Sequence, residues 1–432
     1  MPEPRRSRRP DPAASALLRL GAVMLAVAVP AVLVGCTPLP TGLTPSIEVT
    51  ELGGPFEPLG IRVVGLAPGA SVTLHTSSDI AYVPHESTAV FTADAAGVID
   101  LARDVPTDGA WTVADAMAPM YMFGDGTVTT AFQEYDREHT VELEVLEGSV
   151  DDNAGGDASG VVIASTSVVR GAPEGAFDIV TAPDAGTSAF FATPGDLDPG
   201  DARPALLVMG GSEGGSESAR LLAMQLAGFG YPALAISLFG SPGQSDELSE
   251  VPLDPALAAL DWLRAQPGVD PDRVTPFGVS RGGEVALWLA ATQPDLVRGA
   301  IMPVGAGELF CGYPDVTRSA WTLGSEPLPC TTAVSGEPPA ASVIDVSTID
   351  GPVVLACGTA DAVWPSCPLQ ERTLERLEAA GVETHAVEGE GASHFVALNP
   401  YLPYFEGTDA AADSSARAAF WTSVVEALGP AV

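Results

Sequence analysis

Residues 274–287 read VTPFGVSRGGEVAL, in which an apolar run leads into GVSRG at 278–282 and then into a helix-like run. The pentapeptide is a Gly-x-Ser-x-Gly motif, which has meaning only where a strand turns abruptly into a helix. The flanking runs predict that context, and Gly278 and Gly282 would prevent collisions at so sharp a turn. We therefore interpret Ser280 as a nucleophile held on the turn, with helix capping as the alternative role.

Strand-like and helix-like runs alternate around this motif from residue 172 onward. The run ALLVMGG at 205–211 is continuously apolar, as expected of a strand covered on both faces. The run RGGEVALWLAATQ at 281–293 predicts a helix, and GPVVLACGTAD at 351–361 predicts a later strand. Repeated strand-helix units predict an α/β fold with a mostly parallel sheet and helices on both faces.

The preceding segment has a different pattern. Short strand-like runs, broken by Pro and Gly, include SIEVTEL (46–52), SVTLHTSSD (71–79) and AVFTADAAGVIDLA (89–102). Several such runs at close spacing are typical of a β-sandwich. A chain of 432 residues is long enough for two cores, so we predict a β-sandwich domain at 46–171 and an α/β domain at 172–432.

Residues 1–36 have the pattern of an export signal. RRSRR at 5–9 is basic, and the apolar stretch at 20–34 is too short to span a bilayer comfortably. It ends in LVGC, which resembles the lipobox of bacterial lipoproteins, in which the cysteine is lipidated; a membrane-anchoring helix or a cysteine present by chance are the alternatives. We predict lipidation of Cys36, a Pro-rich tether at 37–45, and a cell-envelope lipoprotein on the outer face of the cytoplasmic membrane.

Export makes the other cysteines candidates for disulfides, because an oxidising compartment lets such bonds persist. Four cysteines permit three pairings. Proximity along the chain suggests Cys311 with Cys330 and Cys357 with Cys367, and four buried free thiols are the alternative.

A serine nucleophile needs a base and an orienting carboxylate, which follow in the order Ser, Asp, His in folds of this type. His385 and His394 both come after Ser280. His385 lies inside a predicted strand, whereas His394 lies in the loop beyond it, where a general base belongs. Asp361 ends the preceding strand in the corresponding way, so we predict a triad of Ser280, Asp361 and His394.

The oxyanion of an acyl-transfer reaction needs two backbone donors. The N–H of Arg281 would be one, and the Gly-rich loop MGGSEGGSE at 209–217 would supply the other from Gly211 or Ser212. This loop lacks both the Lys-Ser/Thr of a P-loop and the G-x-G-x-x-G spacing, which argues against nucleotide binding. We expect no metal and no cofactor.

The charge of the chain restricts its partners. The formal net charge is -37, and all 19 basic residues are Arg. A polyanion would be repelled over most of the surface, so we expect no nucleic-acid partner and no membrane contact beyond the lipid anchor. An acidic substrate would need a local cluster of Arg.

These motifs resemble the acyl-CoA thioesterase and bile acid-CoA:amino acid N-acyltransferase (BAAT) family, over nearly all of 46–432. The segments that carry the likeness are IRVVGLAPGASVTLHT (61–76), FTADAAGVIDLARD (91–104), DWLRAQPGVDPDRVTPFGVSRGGEVAL (261–287), CGTADAVWPS (357–366) and GASHFVALNPYLPYF (391–405). The resemblance implies an N-terminal β-sandwich, a C-terminal α/β-hydrolase domain, and a triad at Ser280, Asp361 and His394.

Members of that family devoted to amino-acid conjugation carry Cys at the nucleophile, so Ser280 favours hydrolysis. We predict a serine hydrolase that cleaves a small acyl thioester or ester through an acyl-enzyme. CoA thioesters are cytosolic, so an exported protein would rarely meet them, and CoA is polyanionic, which the acidic surface disfavours. Another acyl ester or thioester is therefore also open as the substrate. The alternatives are acyl transfer to an amine or hydroxyl, and a non-catalytic surface lipoprotein that retains the fold.

Overall fold

The computed structural model describes residues 44–51, 59–80, 83–123, 138–148, 160–401 and 408–431. The predicted signal, Cys36 and most of the predicted tether lie outside the described residues. Among the residues that are described, no helix has both the length and the apolar character needed to cross a membrane.

Two antiparallel sheets form the N-terminal region. One has the order β1-β2-β5, with strands β1 (Ser46–Glu51), β2 (Leu59–Val64) and β5 (Ile99–Asp100). The other has the order β6-β4-β3-β7-β8, with strands β3 (Ser71–Ile80), β4 (Val83–Thr92), β6 (Asp108–Gly109), β7 (His139–Glu147) and β8 (Val162–Arg170). A short helix, α1 (Ala118–Tyr121), precedes β7.

Alternate residues of these strands fill one core between the two sheets. Ile61 from β2, Leu74 from β3 and Leu143 from β7 are all fully buried in the same cluster. This pattern is the period-2 burial of a sandwich, and it confirms the predicted N-terminal fold class.

The strand-like run at 89–102 is divided between the two sheets. It makes the end of β4 in one sheet and all of β5 in the other. Between them Asp94 Oδ1 accepts the N–H groups of Ala96 and Val98 at 2.8 and 3.0 Å, and Gly97 has a φ of 74°. An Asp whose side chain accepts from the backbone two residues on forms a turn, so the chain crosses between sheets inside what the sequence presents as one run.

The C-terminal region is built on one eight-stranded sheet with the order β19-β18-β15-β14-β11-β12-β10-β9. The first six strands in that order are parallel, and β10 and β9 add an antiparallel edge. The strands are β9 (Phe177–Thr181), β10 (Ala189–Pro194), β11 (Arg203–Met209), β12 (Ala233–Ile236), β14 (Val269–Gly278), β15 (Ala300–Pro303), β18 (Val353–Gly358) and β19 (Thr384–Gly389).

Helices cover both faces of this sheet. They are α2 (Glu217–Gly228), α3 (Asp254–Arg264), α4 (Arg281–Thr292), α5 (Ser366–Ala380) and α6 (Ala410–Leu428). Along β11, Leu207 and Met209 join the core that contains α3 and α4, whereas Leu206 and Val208 join the core that contains α2 and α6. Burial on both faces explains why this strand is apolar throughout, and the predicted α/β class is confirmed.

The segment between β15 and β18 contains short regular elements. It contains β16 (Trp321–Leu323) and β17 (Glu326–Pro327), which join the earlier β13 (Val251–Pro252) in a small sheet. Short 3-10 turns follow at Ala340–Ser342 and Val346–Thr348, and another lies at Pro183–Ala185 before β10.

Candidate active site

Ser280 lies on the turn between β14 and α4, as the motif predicts. Its backbone has φ 55° and ψ -118°, a conformation that is costly for a residue with a side chain. The Ser280 N–H donates to Pro303 O at 3.0 Å, and its carbonyl accepts from Gly283 N at 2.9 Å. The turn is therefore held by backbone bonds on both sides of the serine.

The two glycines of the motif are required because other backbone lies against them. A Cβ atom on Gly278 would lie 2.0 Å from the carbonyl oxygen of Gly282. A Cβ atom on Gly282 would lie 2.3 Å from the carbonyl oxygen of Gly210, in the loop after β11. The glycines thus bring the start of α4 against both its own strand and the neighbouring strand's loop.

Asp361 and His394 form a hydrogen-bonded pair. His394 Nδ1 lies 2.7 Å from Asp361 Oδ2, and the side chains are 12% and 2% exposed, respectively. Asp361 follows β18 and His394 follows β19, while Ser280 follows β14. Carboxyl ends of parallel strands meet at one edge of a sheet, so the three residues lie along the same edge.

Hydrogen bonds keep the Asp361 carboxylate ionised in its buried position. Burial by itself would raise the pKa of Asp361, but the hydrogen bonds from the His394 imidazole and the Trp364 N–H offset it, and the pKa lies below its ordinary value. Asp361 Oδ1 also accepts the N–H groups of Val363 and Trp364, at 2.9 and 3.1 Å. With one oxygen fixed by the backbone, the other is directed at the imidazole.

A disulfide closes the segment that carries Asp361. Cys357 in β18 is bonded to Cys367 in α5, which is one of the two predicted pairs. Among the described residues, one group has metal-compatible spacing, and it consists of these two cysteines and Glu388. Both sulfurs are held in the disulfide, so that group offers no thiolate to a metal.

The loop that carries His394 is anchored to α6 by a buried ion pair that the sequence did not reveal. Asp413 Oδ1 accepts from Ser393 N at 2.6 Å, and its Oδ2 accepts from Ser393 Oγ at 2.9 Å. Arg417, 3.5 Å from Asp413 Oδ2, also donates to Phe395 O at 2.9 Å. Burial lowers the pKa of the Arg417 guanidinium to about 10. The residues on each side of His394 are thereby fixed.

The predicted oxyanion donors have different surroundings. The N–H of Arg281 belongs to the first residue of α4, directly after the nucleophile. The N–H of Gly211 donates to both carboxylate oxygens of Glu213, each at 3.0 Å. Ser218 Oγ donates to the same carboxylate. Ser212 is exposed.

The side chain of Arg281 points away from solvent into a second buried network. Its Nε donates to Glu284, and its Nη2 donates to the carbonyls of Phe310 and Cys311 at 2.9 and 3.1 Å. Glu284 is fully buried and also accepts from Trp321 Nε1 at 2.9 Å. Burial raises the pKa of Glu284 in spite of the adjacent guanidinium. The sequence signal that could have indicated this network is Glu284, a carboxylate four residues after Ser280 inside the predicted helix.

This network ties the nucleophile turn to the segment closed by the second disulfide. Cys311 is bonded to Cys330, which is the other predicted pair.

His385, which was set aside as a base, lies in β19 with Glu383 at 3.5 Å and Glu426 at 3.9 Å. The structure therefore joins Asp361 to His394 and places Ser280 on a strained turn, while their catalytic roles stay a prediction.

Two family models match the chain, each over part of it. Residues 56–173 match the acyl-CoA thioester hydrolase/BAAT N-terminal region, and residues 220–402 match the prolyl oligopeptidase family. Several relatives align over most of the chain, and two are described here. Acyl-coenzyme A thioesterase 6 of Mus musculus is 27% identical over 350 residues, which cover 75% of this chain and 78% of that protein. The mitochondrial acyl-coenzyme A thioesterase 2 of Rattus norvegicus is 26% identical over 381 residues, covering 84% and 81%.

Among solved structures, a putative dienelactone hydrolase from Klebsiella pneumoniae subsp. pneumoniae MGH 78578 has a TM-score of 0.42 and 22% sequence identity, covering 58% of this chain and 97% of that one. The matches to the family models and the relatives confirm the resemblance to the acyl-CoA thioesterase and BAAT family and the prediction of a hydrolase.

Proposed function

We propose that the protein is a serine hydrolase that cleaves acyl thioesters or esters through an acyl-enzyme. Ser280 would be the nucleophile, His394 the general base and acid, and Asp361 the residue that orients the imidazole. The observation that carries this proposal is the 2.7 Å bond from His394 Nδ1 to Asp361, at the sheet edge where the Gly-x-Ser-x-Gly turn also lies.

The pair assigns a role to each imidazole nitrogen. With Nδ1–H donating to Asp361, Nε2 is left to accept the Ser280 hydroxyl proton as Oγ attacks the acyl carbonyl. His394 then returns that proton to the leaving thiol or alcohol as its bond to the carbonyl carbon breaks. A water molecule, deprotonated by the same imidazole, attacks the acyl-enzyme and releases the carboxylic acid and free Ser280.

The N–H groups of Arg281 and Gly211 would stabilise the oxyanion in both steps. The bond between Gly211 N–H and Glu213 bears on this role. An oxyanion can use that donor only if it replaces the carboxylate as acceptor, so Glu213 would move when substrate binds.

The substrate class is proposed from the relatives. The two relatives described above are named acyl-coenzyme A thioesterases, which supports a small acyl thioester for this chain. The net charge of -37 disfavours a polyanionic leaving group such as CoA. An acyl thioester or ester with a less charged leaving group fits both observations.

Paired substrates test the reaction and its leaving group. The purified protein would be assayed with CoA thioesters and p-nitrophenyl esters of matched chain length, and labelled with a fluorophosphonate. We expect a burst of leaving group and covalent labelling, both abolished by Ser280→Ala and kept by Ser245→Ala, which alters an exposed serine. An undiminished burst in Ser280→Ala would refute the assignment of the nucleophile.

Two other outcomes correspond to the alternative functions. Acylated amine or alcohol products in the presence of acceptors would indicate acyl transfer. Absence of labelling in the folded protein would indicate a non-catalytic lipoprotein that retains the fold.

We also propose that the chain is an exported lipoprotein anchored through Cys36. Its support is the signal-like sequence of 1–36 together with the two disulfides, Cys311–Cys330 and Cys357–Cys367, which persist in oxidising compartments. Metabolic labelling with a fatty acid should mark the wild type and spare Cys36→Ser. Equal labelling of both proteins would contradict lipidation at this site.

A further inference from the structure

A second strained residue lies beside the Ser280 turn. Val304, directly after β15, has a φ of 48°, and such a left-handed conformation is an outlier for a β-branched residue. Its N–H donates to Ala356 O in β18 at 2.7 Å, and the carbonyl of the preceding Pro303 accepts the Ser280 N–H at 3.0 Å. Strain of this kind persists only where surrounding contacts hold it, and it is common at functional sites. The end of β15 is therefore part of the support of the proposed nucleophile.

The indole of Trp364 bonds to this strained residue. Trp364 Nε1 donates to Val304 O at 3.0 Å. Trp364 follows Asp361 by three residues, and its backbone N–H donates to Asp361 Oδ1 at 3.1 Å. One residue is thus bonded both to the carboxylate that contacts His394 and to the strand end that accepts from Ser280.

A second contact runs through the Trp364 ring, which is partly buried. It packs on the buried Phe310, with the ring centres 5.0 Å apart, a separation at which aromatic pairs attract each other. The Arg281 guanidinium lies 5.9 Å from the centre of the same Phe310 ring, and its Nη2 donates to Phe310 O at 2.9 Å. Because Arg281 directly follows Ser280, this stack connects Trp364 to the other end of the nucleophile turn.

The backbone bonds of the sheet do not by themselves fix Asp361 relative to Ser280. They hold β14, β15 and β18 together, with β15 between the other two. Asp361, however, lies beyond the end of β18, so the place of its carboxylate depends on the loop that carries it. The Trp364 side chain bonds that loop to the end of β15, between the strands that lead to Ser280 and to Asp361.

We propose that Trp364 is a positioning residue that sets the separation between the Ser280 turn and the Asp361–His394 pair. The proposal rests on the proposed hydrolase function, because that reaction needs the hydroxyl and the imidazole in contact. Trp364 acts through the Val304 carbonyl and the stacked ring, without touching the reacting atoms. The reaction should be sensitive to this separation, since a misplacement of about 1 Å can lower a rate about 10²-fold.

Trp364→Phe removes the indole N–H and keeps an aromatic ring beside Phe310. We expect kcat for a p-nitrophenyl ester to fall about tenfold or more while KM stays nearly constant, because position is lost and substrate contacts are kept. Trp262→Phe is the matched control, since Trp262 is also partly buried and lies 5.4 Å from one phenylalanine ring, that of Phe191. An unchanged kcat in Trp364→Phe, or a raised KM alone, would overturn the proposal.

The pH dependence separates positioning from damage to the base. The bonds that Asp361 accepts from His394 and from the backbone do not involve the indole. The pH at which kcat/KM is half-maximal should therefore be the same in Trp364→Phe and the wild type, and a shifted midpoint would mean that Trp364 acts on the Asp361–His394 pair instead. If Trp364→Phe does not fold, 3-benzothienylalanine at position 364 decides the matter, because it keeps the shape and replaces the N–H with sulfur.

Amide hydrogen exchange tests the same link without turnover. In Trp364→Phe the N–H groups of Ser280 and Val304 should exchange about tenfold faster, since loss of the indole bond lowers the free energy of opening there. The N–H of Ala286, inside α4, should be unaffected. If the wild type neither turns over esters nor reacts with a fluorophosphonate, the hydrolase proposal fails, whereas faster exchange at Ser280 would still support the positioning of the turn by Trp364. Unchanged exchange at Ser280 would overturn that positioning.

Discussion

The turn that carries Ser280 and the loop that carries His394 are held in place by different means. At the turn, backbone packs against backbone, with Gly278 and Gly282 at distances that exclude any side chain. At the loop, side chains provide the support, because the buried pair of Asp413 and Arg417 binds residues on both sides of the histidine. Ser280 itself is thus positioned by close backbone packing, which the Arg281 side chain reinforces from the next residue. His394 is positioned by side chains of a helix that follows it in the chain.

This difference determines what a substitution can do at each place. A glycine of the turn cannot be replaced without moving main chain, so stability and activity should be lost together. The loop depends on a few removable side-chain bonds, so its contributions to catalysis and to stability can be measured separately.

The largest effect is expected for the hydrogen bond between His394, on the loop, and Asp361, which follows β18. Asp361→Asn retains the shape of the side chain, but its amide can present a donor to Nδ1 and favour the wrong imidazole tautomer. We expect kcat to fall about 10⁴-fold, as when the carboxylate of such a triad is replaced by an amide. Steady-state esterase kinetics would measure it, with Asp246→Asn at an exposed site as control. A loss below tenfold would mean that Asp361 does not orient the base.

The next effect should come from Asp413→Asn. This change leaves Arg417 buried without its carboxylate, and breaking such a pair costs about 3–5 kcal/mol of unfolding free energy. Denaturant unfolding would measure that loss. If the pair also positions His394, kcat should fall while KM for a matched ester changes little, at a temperature where the variant is folded. Unchanged kcat would restrict the pair to a structural role.

The two kinds of support explain how far the sequence could predict this site. The turn that carries Ser280 could be predicted because its strand, glycines and helix are contiguous in sequence. Asp361 and His394 could be chosen because few Asp and His residues after Ser280 lie just beyond a predicted strand. Asp413 and Arg417 are an i, i+4 pair within α6, a spacing that is equally common for exposed ion pairs on a helix surface. Their role depends on where α6 packs against the His394 loop, and a single sequence does not contain that information.

The sandwich shows the same limit. Its class could be predicted from short alternating runs, whereas the division of 89–102 between two sheets depended on the turn formed by Asp94. In sequence, Asp94 could equally be an outward-facing residue of a continuous strand or the start of a turn, and only the packing of the chain decides between them.

Removing either disulfide should cause a smaller loss of unfolding free energy, and the two losses should be similar. Cys357–Cys367 joins residues 10 apart in sequence around Asp361, and Cys311–Cys330 joins residues 19 apart beside the acceptors of Arg281. Loop closure predicts losses of about 2–3 kcal/mol for the shorter loop and about 3 kcal/mol for the longer one. Unfolding of the Cys357→Ala/Cys367→Ser and Cys311→Ser/Cys330→Ser proteins would measure both. A larger loss for the shorter loop would show that it stabilises the Asp361 segment beyond chain entropy.

The smallest effect concerns a contact beside the turn, the bond between Gly211 N–H and Glu213. If an oxyanion must replace this carboxylate, Glu213→Gln should raise kcat, because a hydrogen bond to a charged group is worth about 1 kcal/mol more than a neutral one, or about fivefold in rate. Glu217→Gln, at an exposed position near the same loop, is the matched control. Pre-steady-state acylation rates of the Glu213→Gln and Glu217→Gln proteins would measure the effect. A fall in the acylation rate would mean that Glu213 holds the loop in its active shape, so this part of the site would depend on side-chain support like the His394 loop.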